Sequence, residues 1–435
     1  MAPVAWTPDG WRDRAALWAL AQRLSADLAW PPGVRIAVSV RDPFTLLAVV
    51  LAVWQSDGCV VLLDAADPKA PRCDLAERFG AAVLVSDEPE LRALPIAGAG
   101  VAANFAAIKL TSGSTDLPRG IGVRDAALIA DADQLEATMG IGDGDRVFAA
   151  VPMSFSYGVG NLLVPALWRG RQLVLPEWRH PLGFLQALRA GEPTVLPAVP
   201  ALLRALVQNA RELPASLRLV ISAGAVLPID VAAAFFERFQ RRVHSFYGST
   251  ESGGICYDRT GLAAAQGTAG APVQGVQVTL DGEGLVVVRS AAVGEALHDG
   301  DNPRDGVFRA PDLGEWRDGE LVLRGRAGEV FDVGGHKVHP REIERIVAEL
   351  AGVDEVVVVP WRDEHGRASS AALVAAESLD EVAVRRHCAA RLPMAKVPRC
   401  IVVVRALPRS SRGKLQRADV ERLLTNARDP GEAGR

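Results

Sequence analysis

The segment 110–120 reads Leu-Thr-Ser-Gly-Ser-Thr-Asp-Leu-Pro-Arg-Gly. Thr111, Ser112, Ser114 and Thr115 supply hydroxyls, Gly113 bares the backbone, and Arg119 adds a fixed positive charge. Hydroxyls, exposed N–H groups and a cation on one turn suit an anion with many oxygens, and a phosphate chain is the commonest such ligand. A nucleotide is therefore the first chemistry to consider, against the plainer reading of an ordinary Gly/Ser/Thr surface loop. No G-K-[ST] closes the segment, which argues against a Walker loop. Two other groups invite chemistry. Lys414 sits in Arg-Gly-Lys-Leu-Gln-Arg, in a chain whose lysines are Lys69, Lys109, Lys337, Lys396 and Lys414 only. His336 and His339 form an H-x-x-H leading into Pro340, and are read as residues of a turn rather than as metal ligands.

The elements that must position such a loop follow from periodicity. Valine-rich runs at 34–40, 60–63, 81–85 and 106–110 alternate with helical spacing at 44–55 and 75–79, the rhythm of a largely parallel sheet covered by helices. The loop leaves the C-terminal end of the strand 106–110, where ligands of open α/β sheets sit. The pattern continues with a helix over 125–139, a strand over 146–151, a helix over 162–168 and strands over 217–222 and 242–246. From residue 267 short strands (276–280, 285–289, 320–323) separated by Asp-Gly and Gly-rich turns predict a smaller β-rich unit. Beyond 326 mixed periodicity resumes, with helices over 341–350 and 380–391 and strands over 355–359, 371–374 and 400–404. The expectation is an α/β fold: a large N-terminal domain (1–327) of mostly parallel β/α subdomains with a β-rich subdomain at 267–327, then a small mobile α+β domain (328–435).

Composition narrows the function. The 435 residues are 49% hydrophobic and 23% charged, as in a globular protein of two or three packed domains. A net charge of -4 gives no basic field for nucleic acid, and the scarcity of lysine argues against a polybasic membrane patch. The five cysteines are scattered without a C-x-x-C pair, so neither a disulfide framework nor a zinc site is indicated. The start of the chain lacks a basic-then-apolar leader and the apolar run 44–54 is too short to span a bilayer, so a soluble cytoplasmic protein is expected.

The segment 111–120 resembles the phosphate loop of the adenylate-forming superfamily, which includes acyl- and aryl-CoA synthetases, peptide-synthetase adenylation domains and luciferases. Further matches follow in that family's order: Ser-Ala-Gly-Ala-Val-Leu-Pro at 222–228, Tyr-Gly-Ser-Thr-Glu at 247–251, Phe-Arg-Ala-Pro-Asp-Leu-Gly at 308–314, Gly-Arg at 325–326, Gly-Gly-His-Lys-Val-His-Pro-Arg-Glu-Ile-Glu at 334–344, and Leu-Pro-Arg-Ser-Ser-Arg-Gly-Lys at 407–414. The motifs cover residues 106 to about 423, and the N-terminal region is shorter than is usual in the family.

The resemblance implies a role for each position. Thr111, Ser112, Gly113, Ser114 and Thr115 would offer donors to the β- and γ-phosphates, with Arg119 in place of the loop's lysine and Asp116 in place of a glycine. Gly224 and Ala225 would lie against adenine and Tyr247 would stack on it, beside Gly248. Thr250 would contact the α-phosphate, Glu251 would hold Mg²⁺, Asp312 would take the ribose hydroxyls, and Arg326 would add a nucleotide contact. Lys414 would bridge the carboxylate substrate and the α-phosphate, where two anions are brought together. Gly328 occupies the hinge position, and Gly334, Gly335, His336 and Lys337 would line the path of an incoming thiol.

Amino-acid-activating relatives carry Phe-Asp where this chain has Phe155 and Ser156, and a buried ammonium without a carboxylate is costly, so α-amino acids are disfavoured. The run Tyr157-Gly-Val-Gly-Asn161 is similar to that of benzoate-type ligases. It implies an aromatic or modest apolar acid in a pocket lined by Phe155, Ser156, Tyr157, Asn161, Ser222 and Ser249. The implied reaction joins the acid to ATP as acyl-AMP, then passes the acyl group to coenzyme A or to carrier-protein phosphopantetheine. Two alternatives stand beside it. One is a stand-alone ligase feeding an acyl carrier protein in a polyketide or arylpolyene pathway. The other, motivated by Asp116, Arg119 and Gly328, is a degenerate non-catalytic nucleotide-binding module.

Overall fold

β-Branched runs become strands because Val and Ile fit a pleated, buried surface, and the segment Pro43–Gln55, apolar nearly all round, becomes a helix buried from Leu46 to Val50. The computed structural model describes residues 3–65, 69–88, 90–96, 101–111, 118–176, 181–297, 302–327, 331–333, 336–362, 368–409 and 415–428. The chain divides into two compact units. One comprises Met1–Thr279, Val287–Arg309 and Trp316–Val322, and the other Leu280–Val286, Ala310–Glu315 and Leu323–Arg435.

The first unit holds two large sheets. One runs in the order Glu295–Ala296, Arg119–Val123, Ala107–Thr111, Cys59–Leu62, Arg35–Ser39, Ala81–Ser86, Arg92–Pro95. Its four central pairing partners, from Ala107–Thr111 to Ala81–Ser86, are parallel and its margins antiparallel. The other runs Ala271–Pro272, Gly253–Tyr257, Val243–Ser249, Leu219–Ser222, Val195–Ala198, Arg146–Phe148, Gln172–Val174, Pro3–Thr7, Gly10–Asp13. From Val243–Ser249 to Pro3–Thr7 it is parallel. Leu203 and Phe235, from the helices Pro200–Asn209 and Ile229–Phe239, are fully buried in its core, each contributing about 1.5–3 kcal/mol by leaving water.

Three neighbouring parallel strands of this sheet are tied at their starts by one carboxylate. Asp145 precedes Arg146–Phe148, Thr194 precedes Val195–Ala198, and Arg218 precedes Leu219–Ser222. Asp145 accepts from Thr194 Oγ1 at 2.6 Å, from Arg218 Nε and Nη2 at 2.9 and 2.6 Å, and from the Gly142 N–H at 2.9 Å. Burial pushes its carboxyl up, but the donors from Arg218, Thr194 and Gly142 outweigh this and hold it below the ordinary carboxylate range.

In the second unit Val353–Arg362, Ala368–Ala376 and Cys400–Val404 form a three-stranded sheet. Alternation sorts its two faces: Ala372 and Val374 join Ile343 and Val384 in one core, while Ala371 and Leu373 join Val420 and Leu424 in another. The strands Gln277–Leu280, Leu285–Arg289, Val307–Arg317 and Glu320–Arg326 form a separate four-stranded sheet.

The structure departs from the sequence expectations in three places. The helix expected over 162–168 is two π-helical turns, Val159–Leu163 and Pro165–Arg169, closed by Val164 N–H to Val159 C=O and Gly170 N–H to Pro165 C=O. Pro165 explains the break between them, since it offers no N–H to a continuous ladder. His336 is not on a turn: it lies in the strand His336–Val338, paired with Phe331–Val333, and His339 is the N-cap residue of the helix Pro340–Ala348. The hairpin Pro3–Thr7 with Gly10–Asp13 had no apolar run to announce it, because it is an edge whose outer strand is largely solvated.

Candidate active site

Thr111 and Arg119, which flank the glycine-rich segment, are cross-strand partners at the ends of Ala107–Thr111 and Arg119–Val123. Ser112, Gly113, Ser114, Thr115 and Asp116 lie outside the described residues, as do Gly328, Gly334, Gly335 and Lys414. The backbone of His336 and Lys337 is described, in the strand His336–Val338. Arg119 is exposed.

The second sheet delivers the other group. Gly224 and Ala225 leave the C-terminal end of Leu219–Ser222, both exposed, Gly224 with φ +82°. Tyr247 and Gly248 close the parallel course of Val243–Ser249, which turns through Thr250 and Glu251 and returns antiparallel as Gly253–Tyr257, with an irregularity between Tyr247 and Gly248. Ser249 caps that turn: its hydroxyl accepts from the Ser252 N–H at 3.1 Å and lies 3.0 Å from Ser252 Oγ. The Glu251 carbonyl accepts from the Gly294 N–H at 2.9 Å, and the next residue, Glu295, pairs with Gly122 of Arg119–Val123. The turn carrying Glu251 is thus fastened to the sheet that carries Thr111 and Arg119.

The acid-side residues gather at the ends of the same parallel strands. Ser222 stands in register between Ala198 and Ser245. The Tyr157 ring lies 5.7 Å from that of Phe246, and its hydroxyl lies beside the Ala198 backbone without a partner of hydrogen-bonding geometry. Burial pushes the phenol well above its ordinary value. The buried hydroxyls of Ser156 and Ser222 also have no partner among the described residues. Phe155 caps the short helix Ser156–Gly158, and Asn161 is spent locally, donating to the Tyr157 carbonyl at 3.1 Å.

Asp312 and Arg326 belong to the second unit, where Arg326 Nε lies 3.2 Å from Asp312 Oδ1. Among the described residues no group of three or more His, Cys, Asp or Glu side chains could hold a metal. Glu251, a single carboxylate next in sequence to Thr250, is chemically compatible with Mg²⁺, which takes one or two carboxylates and completes its shell with phosphate oxygens and water.

Two charged residues of this region were not read from the sequence. Lys109, in the middle of Ala107–Thr111, is 3% exposed, and Asp131, on the helix Asp125–Met139, is 3% exposed and accepts from the Gly254 N–H at 2.9 Å. The available signal was a lysine inside an apolar run in a chain with only five.

The unit thus combines one sheet whose strands flank a segment rich in small residues with a second sheet that ends in a Tyr-Gly-Ser-Thr-Glu turn. The sequence model of AMP-binding enzymes matches residues 97–308 and that of their C-terminal domain matches 342–414, so the chain belongs to the AMP-binding enzyme family, the adenylate-forming superfamily. It is 31% identical over 335 residues to a 4-hydroxybenzoate–CoA/benzoate–CoA ligase of Rhodopseudomonas palustris, a match covering 71% of this chain and 62% of that protein. It is 32% identical over 345 residues to an anthranilate–CoA ligase of Pseudomonas aeruginosa, covering 73% of this chain and 66% of that protein. The match therefore spans slightly less than two thirds of those ligases' length. An o-succinylbenzoate CoA synthetase of Bacillus subtilis, solved in complex with its acyl-adenylate intermediate, shares the fold with a TM-score of 0.84 at 20% identity, covering 96% of this chain and 94% of that one.

Proposed function

We propose that the protein is an AMP-forming acid–thiol ligase acting on an aromatic or modest apolar carboxylic acid. The observation that carries the reading is the Glu251–Gly294 hydrogen bond. It fastens the proposed cation ligand to the sheet whose neighbouring strands end in Thr111 and Arg119, so groups for phosphate and for its counter-ion share one framework.

In the first half-reaction a carboxylate oxygen of the acid bonds to the α-phosphorus of ATP, and the bond from that phosphorus to the oxygen of the leaving pyrophosphate breaks. Residues 111–115 and Arg119 would hold the β- and γ-phosphates, Thr250 the α-phosphate, Gly224, Ala225 and Tyr247 the adenine, and Asp312 and Arg326 the ribose side. Magnesium, held by Glu251, would supply neutralising charge on the phosphates. Lys414 would offset the repulsion between carboxylate and phosphate as the new bond forms. Phe155, Tyr157 and Phe246 offer an apolar wall for a ring, and the unpartnered hydroxyls of Ser156, Tyr157 and Ser222 offer polar contacts to a substituent on it. In the second half-reaction a thiolate bonds to the acyl carbon and AMP leaves. A hinge at Gly328 would let residues 334–337 approach for this step.

Coenzyme A is the favoured acceptor, since the two similar ligases described above are CoA ligases by name; a carrier protein's phosphopantetheine offers the same thiol. No described helix is long and apolar enough to cross a membrane, and none of the five cysteines forms a disulfide, as a reducing cytoplasm favours. The test is acid-dependent ATP–pyrophosphate exchange over a panel of aryl and acyl acids. Exchange is expected with at least one ring acid and should fall about 10²–10³-fold in Lys414→Ala. Absence of exchange across the panel, with the variant indistinguishable, would leave an inert nucleotide-binding module.

A further inference from the structure

A buried carboxylate beside the acid segment has no part in the scheme above. Asp131 lies in the middle of the helix Asp125–Met139 and is 3% exposed. Its Oδ1 accepts from the Gly254 N–H at 2.9 Å, and among the described residues its Oδ2 takes no hydrogen bond. Glycines leave that second oxygen bare on two sides. A Cβ on Gly160 would lie 2.6 Å from Oδ2 and one on Gly253 would lie 2.9 Å from it, so a side chain at either position would cover or displace it. Both glycines belong to the proposed acid site: Gly160 stands in the run 155–161, and Gly253 follows the Tyr-Gly-Ser-Thr-Glu turn by two residues. The apolar wall adjoins them. A Cβ on Gly254 would lie 3.2 Å from Phe246 Cε2, and the Phe246 ring lies 5.7 Å from that of Tyr157.

A carboxylate oxygen kept from water without a donor is costly. Burial pushes the Asp131 carboxyl up, opposed by the charge of Lys109 and by the Gly254 N–H. Holding the turn does not require that cost, since an asparagine would accept from the same N–H without burying a charge. An ionised carboxylate only accepts, so the group that satisfies Oδ2 must donate. A ring acid brings such a group when its ring carries a hydroxyl or an amine. A site built around that donor rejects the analogue lacking it far more strongly than an apolar pocket rejects a missing methylene.

We propose that Asp131 is a specificity-determining residue whose Oδ2 accepts a hydrogen bond from a hydroxyl or amino group on the ring of the acid, so that the protein selects donor-bearing ring acids over unsubstituted ones. This rests on the reading of residues 155–161 as the acid segment of an adenylating ligase. The hydroxyls of Ser156, Tyr157 and Ser222 both donate and accept and so do not discriminate in this way; Asp131 supplies the direction.

The test is ATP–pyrophosphate exchange by the full chain with benzoic acid and with the positional isomers of hydroxy-, amino- and methoxybenzoic acid, the methoxy group accepting but not donating. At least one hydroxy or amino isomer should exceed both benzoic acid and its methoxy counterpart about tenfold in kcat/KM. Asp131→Asn keeps an acceptor for the Gly254 N–H and turns an amide N–H₂ towards Gly160. It should lower kcat/KM for the preferred isomer about tenfold more than for benzoic acid. Gly160→Ala, whose methyl group would crowd Oδ2, guards against misfolding of the asparagine variant and should narrow the same preference. An equal loss for every acid would mark a carboxylate that only braces the turn and would overturn the proposal. So would a preference unaltered in both variants, or a wild type that takes benzoic or methoxybenzoic acid as well as any donor-bearing isomer. Exchange with no ring acid at all overturns the reading of the acid segment, and the role of Asp131 with it.

Discussion

The two ends of the nine-stranded sheet treat polar groups in opposite ways. At the starts of its parallel strands Asp145 takes donors from Thr194, Arg218 and Gly142 and knits three strands together. At their far ends the buried hydroxyls of Ser156, Tyr157 and Ser222 have no hydrogen-bond partner among the described residues. An unmade hydrogen bond on a buried hydroxyl costs about 1–3 kcal/mol, and a fold that satisfies one end so fully and leaves the other wanting points to a ligand at the second. Hydrogen bonds are concentrated where the strands begin, and the proposed binding site lies where they finish.

The largest effect should come from removing the knot. Asp145→Ala is expected to lower unfolding stability by about 2–3 kcal/mol at pH 7, kept below a fully buried pair because Arg218 is partly exposed. Since the donors depress the Asp145 carboxyl below its ordinary 3.8, its contribution is present above that value. It is lost as the pH falls through the folded-state value. Chemical denaturation of wild type and variant should therefore converge in acid below about pH 4; a gap that persists there would mean that packing, not charge, holds the three strands.

At the other end bulk should matter more than hydroxyls. Gly253 has φ +69° and no room for a Cβ against Asp131, so Gly253→Ala should cost about 1–3 kcal/mol in thermal unfolding and displace the turn of Glu251. A variant as stable as wild type would show that Asp131 yields easily.

The smallest effect on stability is the most telling. Tyr157→Phe and Ser222→Ala each delete a hydroxyl without a partner, so their melting temperatures should equal or slightly exceed that of wild type. The KM for a ring acid with a polar substituent should rise, by about 1 kcal/mol in binding. Lower melting temperatures with an unchanged KM would make these hydroxyls part of the scaffold.

One side of this contrast, with much of the fold, was legible in the sequence, and for identifiable reasons. The strand 285–289, the strand 400–404 and the helix 125–139 are observed with those bounds, because valine-rich runs mark the strands and Gly140, in the left-handed region, ends the helix. Fold and family were readable because small residues, prolines and carboxylates recur in a fixed order along the chain. The Asp145 knot was not readable, since Asp145, Thr194 and Arg218 stand 49 and 73 residues from the first of them and only sheet order brings them together. Lys109 was hidden for the converse reason: one polar residue in an apolar strand does not disturb its periodicity, and the carboxylates that act on it lie on a helix and a turn far along the chain. The π turns were missed because a helical pattern of apolar residues does not tell a spacing of four from one of five.

Those wide turns have an evolutionary consequence. Each is an α turn carrying one surplus residue, so Val159–Leu163 or Pro165–Arg169 could shed a residue and tighten without opening its hydrogen-bond ladder. Every such deletion would swing the residues on one side by about 100° relative to those on the other. A lineage could thereby present a new set of side chains to the proposed acid pocket through a change in length, without any substitution.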